Sequence, residues 1–201
     1  MLGRRVFCAG VLFAGAALAQ TAPPTRTTRV RGTIESVSGS TIVVRTRAGQ
    51  QVTLALAPDL AVSEIYPVPL ADVRAGTFVG VGGIPQPDGT QLAIAVLLFP
   101  ESRRGSNEGH YPFDFTPEST MTNATVAEVV AAPDGQRLRL RYKDGEKTIV
   151  VAPGTPVISF RPGGRDLVVA GASVSLTAAD VNGVATATRI SAGRNGFVVP
   201  Y

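Results

Sequence analysis

Arg31-Gly32-Thr33-Ile34-Glu35-Ser36-Val37 and Asn123-Ala124-Thr125-Val126-Ala127-Glu128-Val129 are two versions of one stretch, 92 positions apart (residue 31 to residue 123), and their likeness decides how the chain reads. A repeat of this kind constrains the architecture before any single element is assigned. Two further blocks keep the same order. Leu70 and Gly76 followed by Val79 and Val81 correspond to Leu167 and Gly171 followed by Val174 and Leu176, with the glycines 95 apart (76 to 171). Asp88-Gly89 with Ala93 and Val96 corresponds to Asn182-Gly183 with Ala187 and Ile190, 94 apart (88 to 182).

Inside each copy the apolar residues recur every second position, the period of a half-buried strand. Ile42, Val44 and Thr46 alternate with Val43, Arg45 and Arg47; Ala48-Gly49-Gln50 turns the chain, and Val52, Leu54 and Leu56 return. In the second copy Leu138, Leu140 and Tyr142 share one face and Arg137, Arg139, Arg141 and Lys143 the other, before Asp144-Gly145 leads into Lys147 to Val151. Each copy then crosses a Pro-containing connection to a short segment, Leu70 to Ala75 or Asp166 to Ala170, that predicts one helical turn before a glycine. Two more strands close each copy: Thr77 to Gly82 with Gln91 to Leu98, and Ala172 to Thr177 with Val184 to Ser191. Five strands with a helical turn between the third and fourth suit a small, strongly curved sheet of the OB type, in which the turn plugs one end. The same strands also fit a β-sandwich or an open meander; the short, glycine-rich strands favour the barrel.

The first copy also resembles a known family. Its Val-x-Gly-Thr-Ile start (Val30, Gly32, Thr33, Ile34), Leu-x-Asp-Val-x-x-Gly turn (Leu70, Asp72, Val73, Gly76), Val-x-Val-x-Gly strand (Val79, Val81, Gly83) and Asp-Gly-x-x-x-Ala close (Asp88, Gly89, Ala93) are similar to a widespread bacterial secreted domain of unknown function with an OB-like fold. The second copy departs where Asp166 precedes Leu167 and where Asn182 replaces the aspartate. The resemblance implies a fold and no chemistry, because its motif residues are turn formers and core positions.

The expected architecture is therefore all-β, with two tandem five-stranded OB-like barrels. Residues 29–98 and 123–193 form the repeats, 99–122 an irregular linker, 20–28 a flexible segment and 194–201 a tail. Ahead of them Arg4 and Arg5, the apolar run Val6 to Leu18 and Ala17-Leu18-Ala19 read as a signal peptide, residues 1–19, cut after Ala19. Arg4-Arg5-Val6-Phe7 also resembles the core of a twin-arginine leader, so both export routes stay open. The expected location is periplasmic or secreted. No segment has the roughly 20 apolar residues of a membrane helix.

Composition narrows the functions. The single cysteine, Cys8, lies in the leader, so the mature chain has no disulfide, thiolate metal site or cysteine nucleophile. The 19 Lys and Arg less Arg4 and Arg5 leave 17 against 15 Asp and Glu, a net of +2, so the high isoelectric point overstates any attraction to polyanions. One histidine without a Gly-x-Ser-x-Gly elbow argues against a Ser-His-Asp set. The acidic residues sit mostly in turns such as Asp88, Asp134 and Asp144, which argues against paired catalytic carboxylates. No tryptophan and few strand aromatics argue against nucleic acid. The expectation is a non-catalytic binding or scaffold protein with no cofactor, whose partner is an anionic envelope component or another envelope protein.

Two sets of residues are candidate sites. Arg137, Arg139, Arg141 and Lys143 project from one strand face and form a stripe able to grip phosphate or carboxylate, with Arg29, Arg31, Arg45 and Arg47 as a similar row in the first copy. The alternative gathers Glu108, His110, Asp114 and Glu118 of the linker around a divalent metal. The competing structural reading has Tyr111, Phe113 and Phe115 pack the linker against the barrels.

Overall fold

The computed structural model describes residues 27–133 and 135–200, so the leader assigned to residues 1–19 lies outside the described residues. The described chain is all-β, with no α-helix. Its strands are β1 (Thr27–Ser38), β2 (Thr41–Thr46), β3 (Gln51–Pro67), β4 (Phe78–Pro85), β5 (Gln91–Leu98), β6 (Gly109–Pro112), β7 (Thr120–Ala132), β8 (Gly135–Tyr142), β9 (Gly145–Val151), β10 (Val157–Pro162), β11 (Ser173–Val181) and β12 (Val184–Gly193). Single 3-10 turns at Leu70–Asp72 and Arg165–Leu167 stand where the sequence predicts helical turns, and a third spans Glu101–Arg103.

The ladder closes into rings. β1 pairs with β2, β2 with β3, β3 with β12 in parallel, β12 with β11, and β11 with β1, which makes a closed five-stranded barrel. Around the second ring β7 pairs with β8, β8 with β9, β4 with β5 and β4 with β7. That ring closes through short parallel contacts of β5 with β9 (Gln91 opposite Ile149, Leu92 opposite Val150) and with β10 (Val157 opposite Val96).

These pairings overturn one expectation. The two stretches read as repeats do not shut around their own interiors; the hairpins read as closing them are exchanged. The first ring takes β1 to β3 from the first repeat and β11–β12 from the second, while the second ring takes β7 to β9 from the second repeat and β4–β5 from the first. The plugs are exchanged as well. Leu167 and Val168 join the cluster holding Ile34, Ile42, Val44 and Leu54, whereas Val73 joins the cluster holding Val126, Leu138, Leu140 and Ile149. Matching hydrogen bonds mark the crossings. Gly171 N–H donates to the Ile34 carbonyl (2.8 Å) and Ile34 N–H to that of Ala172 (2.9 Å); Gly76 N–H donates to the Val126 carbonyl (2.8 Å) and Val126 N–H to that of Thr77 (2.8 Å). Both barrels also carry a bulge in the equivalent place, at Ile34/Ser36 and Val126/Glu128. Each bulge bends its strand so that one half pairs with the exchanged hairpin and the other with the neighbour in its own repeat.

The physical reason lies in β3. Its 17 residues run without a break to Pro67 and carry the chain out of the first barrel before the plug and closing hairpin are made. The corresponding stretch of the second repeat is split into β9 and β10 by Ala152 to Pro156, yet it leaves its barrel in the same way. The outgoing segments pair antiparallel, with Ile65 opposite Phe160 and Glu64 opposite Arg161. Ile65 and Phe160 are 95 positions apart (65 to 160), the offset of the paired glycines, so the ribbon sets corresponding stretches of the sequence against each other. Close packing at the bend of β1 explains Gly32, where a Cβ would collide with the Arg45 carbonyl.

The linker is also more regular than expected. β7 begins at Thr120, inside the segment 99–122, and β6 adds to its first half, with His110 opposite Thr122 and Tyr111 opposite Met121.

Candidate functional site

The arginine stripe lies on the outside of the second barrel, where Arg139 and Arg141 alternate with Leu138 and Leu140, which are fully buried. Strand register sets a carboxylate against two of its members. Glu128 is directly opposite Arg139 on β7 and holds it at 2.9 Å; Glu146 is opposite Arg141 on β9 at 3.9 Å. Opposite charges at facing positions are the usual cross-strand arrangement. Asp88 is held below the usual carboxylate range, first by hydrogen bonds from Thr90 and further by the Arg137 cation. Lys143 is exposed in the turn between β8 and β9.

The linker residues separate rather than converge. Among the described residues no three His, Cys, Asp or Glu come together in a way that could hold a metal ion. His110 Nδ1 lies 2.9 Å from Thr122 Oγ1, and its ring stacks on Tyr142 at 6.4 Å. Burial, and then the Lys147 cation, pushes the His110 imidazole below its ordinary pKa. Glu108 and Glu118 are exposed. Asp114 serves a different purpose: its carboxylate accepts from Arg31 (2.6 and 3.2 Å) and from Arg29 (3.2 Å).

That ion pair belongs to a clasp between the linker and the first barrel. Arg29 and Arg31 lie over the Phe113 ring at 5.8 and 5.4 Å, and Arg47 over Phe115 at 5.4 Å, within the range of cation–π attraction. Arg47 also donates to the carbonyls of Val199 (2.6 Å) and Pro200 (3.3 Å), tying down the C-terminal segment, and Arg45 pairs with Glu35. The first-copy arginine row is thus engaged largely with the chain itself. For Asp114 burial alone would raise the pKa, but the hydrogen bond from Arg31 and the charges of Arg31 and Arg29 outweigh it and hold the carboxyl below its ordinary value. A depressed folded-state pKa gives stability that is present above the unfolded value, about 3.9, and is lost as pH falls through the folded value. Limited proteolysis between Pro112 and Glu118 is therefore expected to accelerate below about pH 4, and Asp114→Asn is expected to be equally open at neutral pH. An Asp114→Asn protein as protected as the parent at pH 7 contradicts the clasp.

Beside the clasp, the crossing of the chain creates a cleft between the barrels. Its volume is about 440 Å³, within the size range of small-molecule sites. The central ribbon and the end of β5 supply its apolar floor: Ile65, Ile158, Phe160, Leu97 and Phe99. Phe99 packs edge-on against Phe160 at 5.8 Å and tilted against Phe78 at 5.3 Å. Gly80 makes room for that ring, since a Cβ there would come within 2.9 Å of it and within 2.6 Å of Asn123 Oδ1. Buried Asn123 braces one wall, its Nδ2 donating to the Tyr111 hydroxyl (2.9 Å) and to the carbonyls of Asn107 (3.1 Å) and Ser106 (3.2 Å).

The polar lining is one-sided in charge. Arg29, Arg31, Arg103 and Arg189 reach the cleft, accompanied by hydroxyls such as Ser63, Ser175 and Ser191, and among the described residues no Asp or Glu lines it. Arg29 and Arg31 share the Asp114 carboxylate. Arg103 and Arg189 are exposed and have no carboxylate partner among the described residues. The arrangement can hold an anion over an apolar floor. Sequence reasoning missed Phe99, Arg103, Phe160 and Arg189 as a group. Their signal was faint, because they come from separate stretches that only the exchange of hairpins brings together.

Comparison with protein-family models, with curated proteins and with solved structures finds no match to this chain.

Proposed function

We propose that this chain is a non-catalytic binding protein of the bacterial envelope, periplasmic or secreted, built from two copies of an OB-like domain, and that it engages an anionic component of that compartment in the cleft between its barrels. The strand order supports the OB-like reading: in each ring the third strand meets the fifth in parallel and the fourth meets the first, with a one-turn plug before the fourth. The leader-like residues 1–19 support the location. One observation carries the binding assignment: among the described residues four arginines and no carboxylate line the cleft, and two of those arginines have no carboxylate partner.

This reading moves the anion site away from the β8 stripe, where Glu128 and Glu146 already neutralise Arg139 and Arg141. Binding to dispersed lipopolysaccharide or to anionic lipid vesicles is expected to weaken with salt. Reversing Arg103 and Arg189 to Glu is expected to weaken it about tenfold or more, the scale of a lost charge-assisted hydrogen bond. Reversing Arg139 and Arg141 is expected to change it by about twofold at most, since exposed pairs of this kind contribute little. Salt-insensitive binding, or a larger loss from the stripe than from the cleft, rules the assignment out.

A further inference from the structure

We infer that the cleft is a site for a small amphiphilic carboxylate, a single carboxylate head carried on an apolar body; this narrows, and rests on, the cleft assignment above. The head group is argued from what the protein itself does on the same wall. Arg29 and Arg31 converge on the Asp114 carboxylate, and the Phe113 ring lies beneath both guanidinium groups. The wall thus already recognises one carboxylate attached to an apolar neighbour, supplied by the linker. Planar guanidinium groups favour carboxylate through paired, geometrically matched donors. Arg103 and Arg189 present the same group on the remaining wall, with no carboxylate among the described residues upon it.

The apolar body is argued from the floor. Leu97, Phe99 and Phe160 are half-buried and line the cleft as its open apolar surface, backed by Ile65 and Ile158, which are 7% and 1% exposed. A purely inorganic anion would leave the half-buried rings wet, and a neutral lipid would leave the two arginine cations unanswered. An amphiphile satisfies both, and a cleft of about 440 Å³ sets its size at that of a small molecule rather than a whole glycolipid.

Titration calorimetry of the full chain with decanoate and with 4-phenylbutyrate, as the aliphatic and aromatic versions of the same chemistry, tests this directly. Saturable binding of either is expected, with decanol and acetate showing at least about tenfold weaker affinity because each lacks one half of the recognition. Arg103→Glu with Arg189→Glu is expected to weaken the carboxylate about tenfold or more while the thermal unfolding midpoint stays near the parent's, as both side chains are exposed. Ala61→Trp, at an exposed cleft position, is expected to block binding without altering charge. Decanol binding as well as decanoate, or carboxylate binding indifferent to all three substitutions, overturns the inference. No carboxylate binding alongside salt-sensitive, Arg103- and Arg189-dependent binding of lipopolysaccharide overturns this inference alone; absence of both overturns the cleft assignment with it.

Discussion

Cutting the chain after Pro162 is expected to unfold the strands Thr27–Pro67, at the opposite end of the sequence, and to leave residues 68–157 folded. The cut removes the turn Arg165–Leu167 and strands β11 and β12. With them the first barrel loses Leu167, Val168, Val174, Leu176 and Ile190 from its core, all nearly fully buried. At about 1.5–3 kcal/mol for each large apolar side chain, the loss is roughly 7–15 kcal/mol, comparable to the whole stability of a domain. β1 would also lose its ladder with β11, and β3 its ladder with β12. The second barrel loses nothing, because its five strands lie between Phe78 and Val151. Amide hydrogen exchange on the truncated protein should show β1 to β3 unprotected and β7 to β9 protected. The reverse pattern is what two self-contained repeats would give, since the cut would then spare the first repeat and break the second.

The second large effect concerns which piece of the chain stands alone. Residues 68–157 contain the complete second ring in a rotated order, closing hairpin first, and their ends meet: Val68 N–H donates to the Val157 carbonyl at 3.0 Å. Expressed by themselves they are expected to be monomeric and to unfold cooperatively, with a stability of about 5 kcal/mol, the lower end for a domain. Residues 29–98, a full repeat in sequence, hold three strands of one ring and two of the other. As a monomer they are expected to show no cooperative unfolding by circular dichroism. A monomeric 29–98 with a sharp transition, together with an unfolded 68–157, contradicts the exchange.

Much of the fold was legible because the strand period is independent of which barrel a strand joins. Ile42 and Val44, or Leu138 and Leu140, must face an interior wherever the ladder closes, and Asp88-Gly89 or Asn182-Gly183 must turn the chain. The exchange was not legible for the same reason. β4 and β11 come from similar repeats, so each carries the apolar pattern that fits beside β1 or β7. What decides between them is the path of Ala57 to Pro67, which reads as a proline-containing connection but continues as strand because its outgoing half finds β10 to pair with. The arginine rows were legible as rows, and their partners were not. Glu128 stands opposite Arg139 only once register is set, and register moves a whole strand by one residue or none. The linker aromatics were read correctly as packing groups for Phe113 and Phe115, whereas Asp114 turned out to face arginines rather than a metal set with Glu108 and His110. The cleft had no local signature at all, being assembled from β1, β3, β5, β6, β7, β10, β11, β12 and the segment from Phe99 to Phe113.

The exchange of closing hairpins is what joins the barrels over a common floor, and a pair of cysteines tests it most directly. Thr33 on β1 is paired with Ser173 on β11, and facing residues of an antiparallel ladder stand about 4.5–5.5 Å apart at Cα, within disulfide reach. In a chain carrying Cys8→Ser, the substitutions Thr33→Cys and Ser173→Cys are expected to oxidise readily to a cross-link within one molecule. Thr33→Cys with Phe78→Cys is expected to stay reduced, because Phe78 pairs instead with Thr125, the counterpart of Thr33 in the second repeat. A cross-link from position 33 to 78 and none from 33 to 173 would show that each repeat closes on itself, and the cleft would go with the exchange.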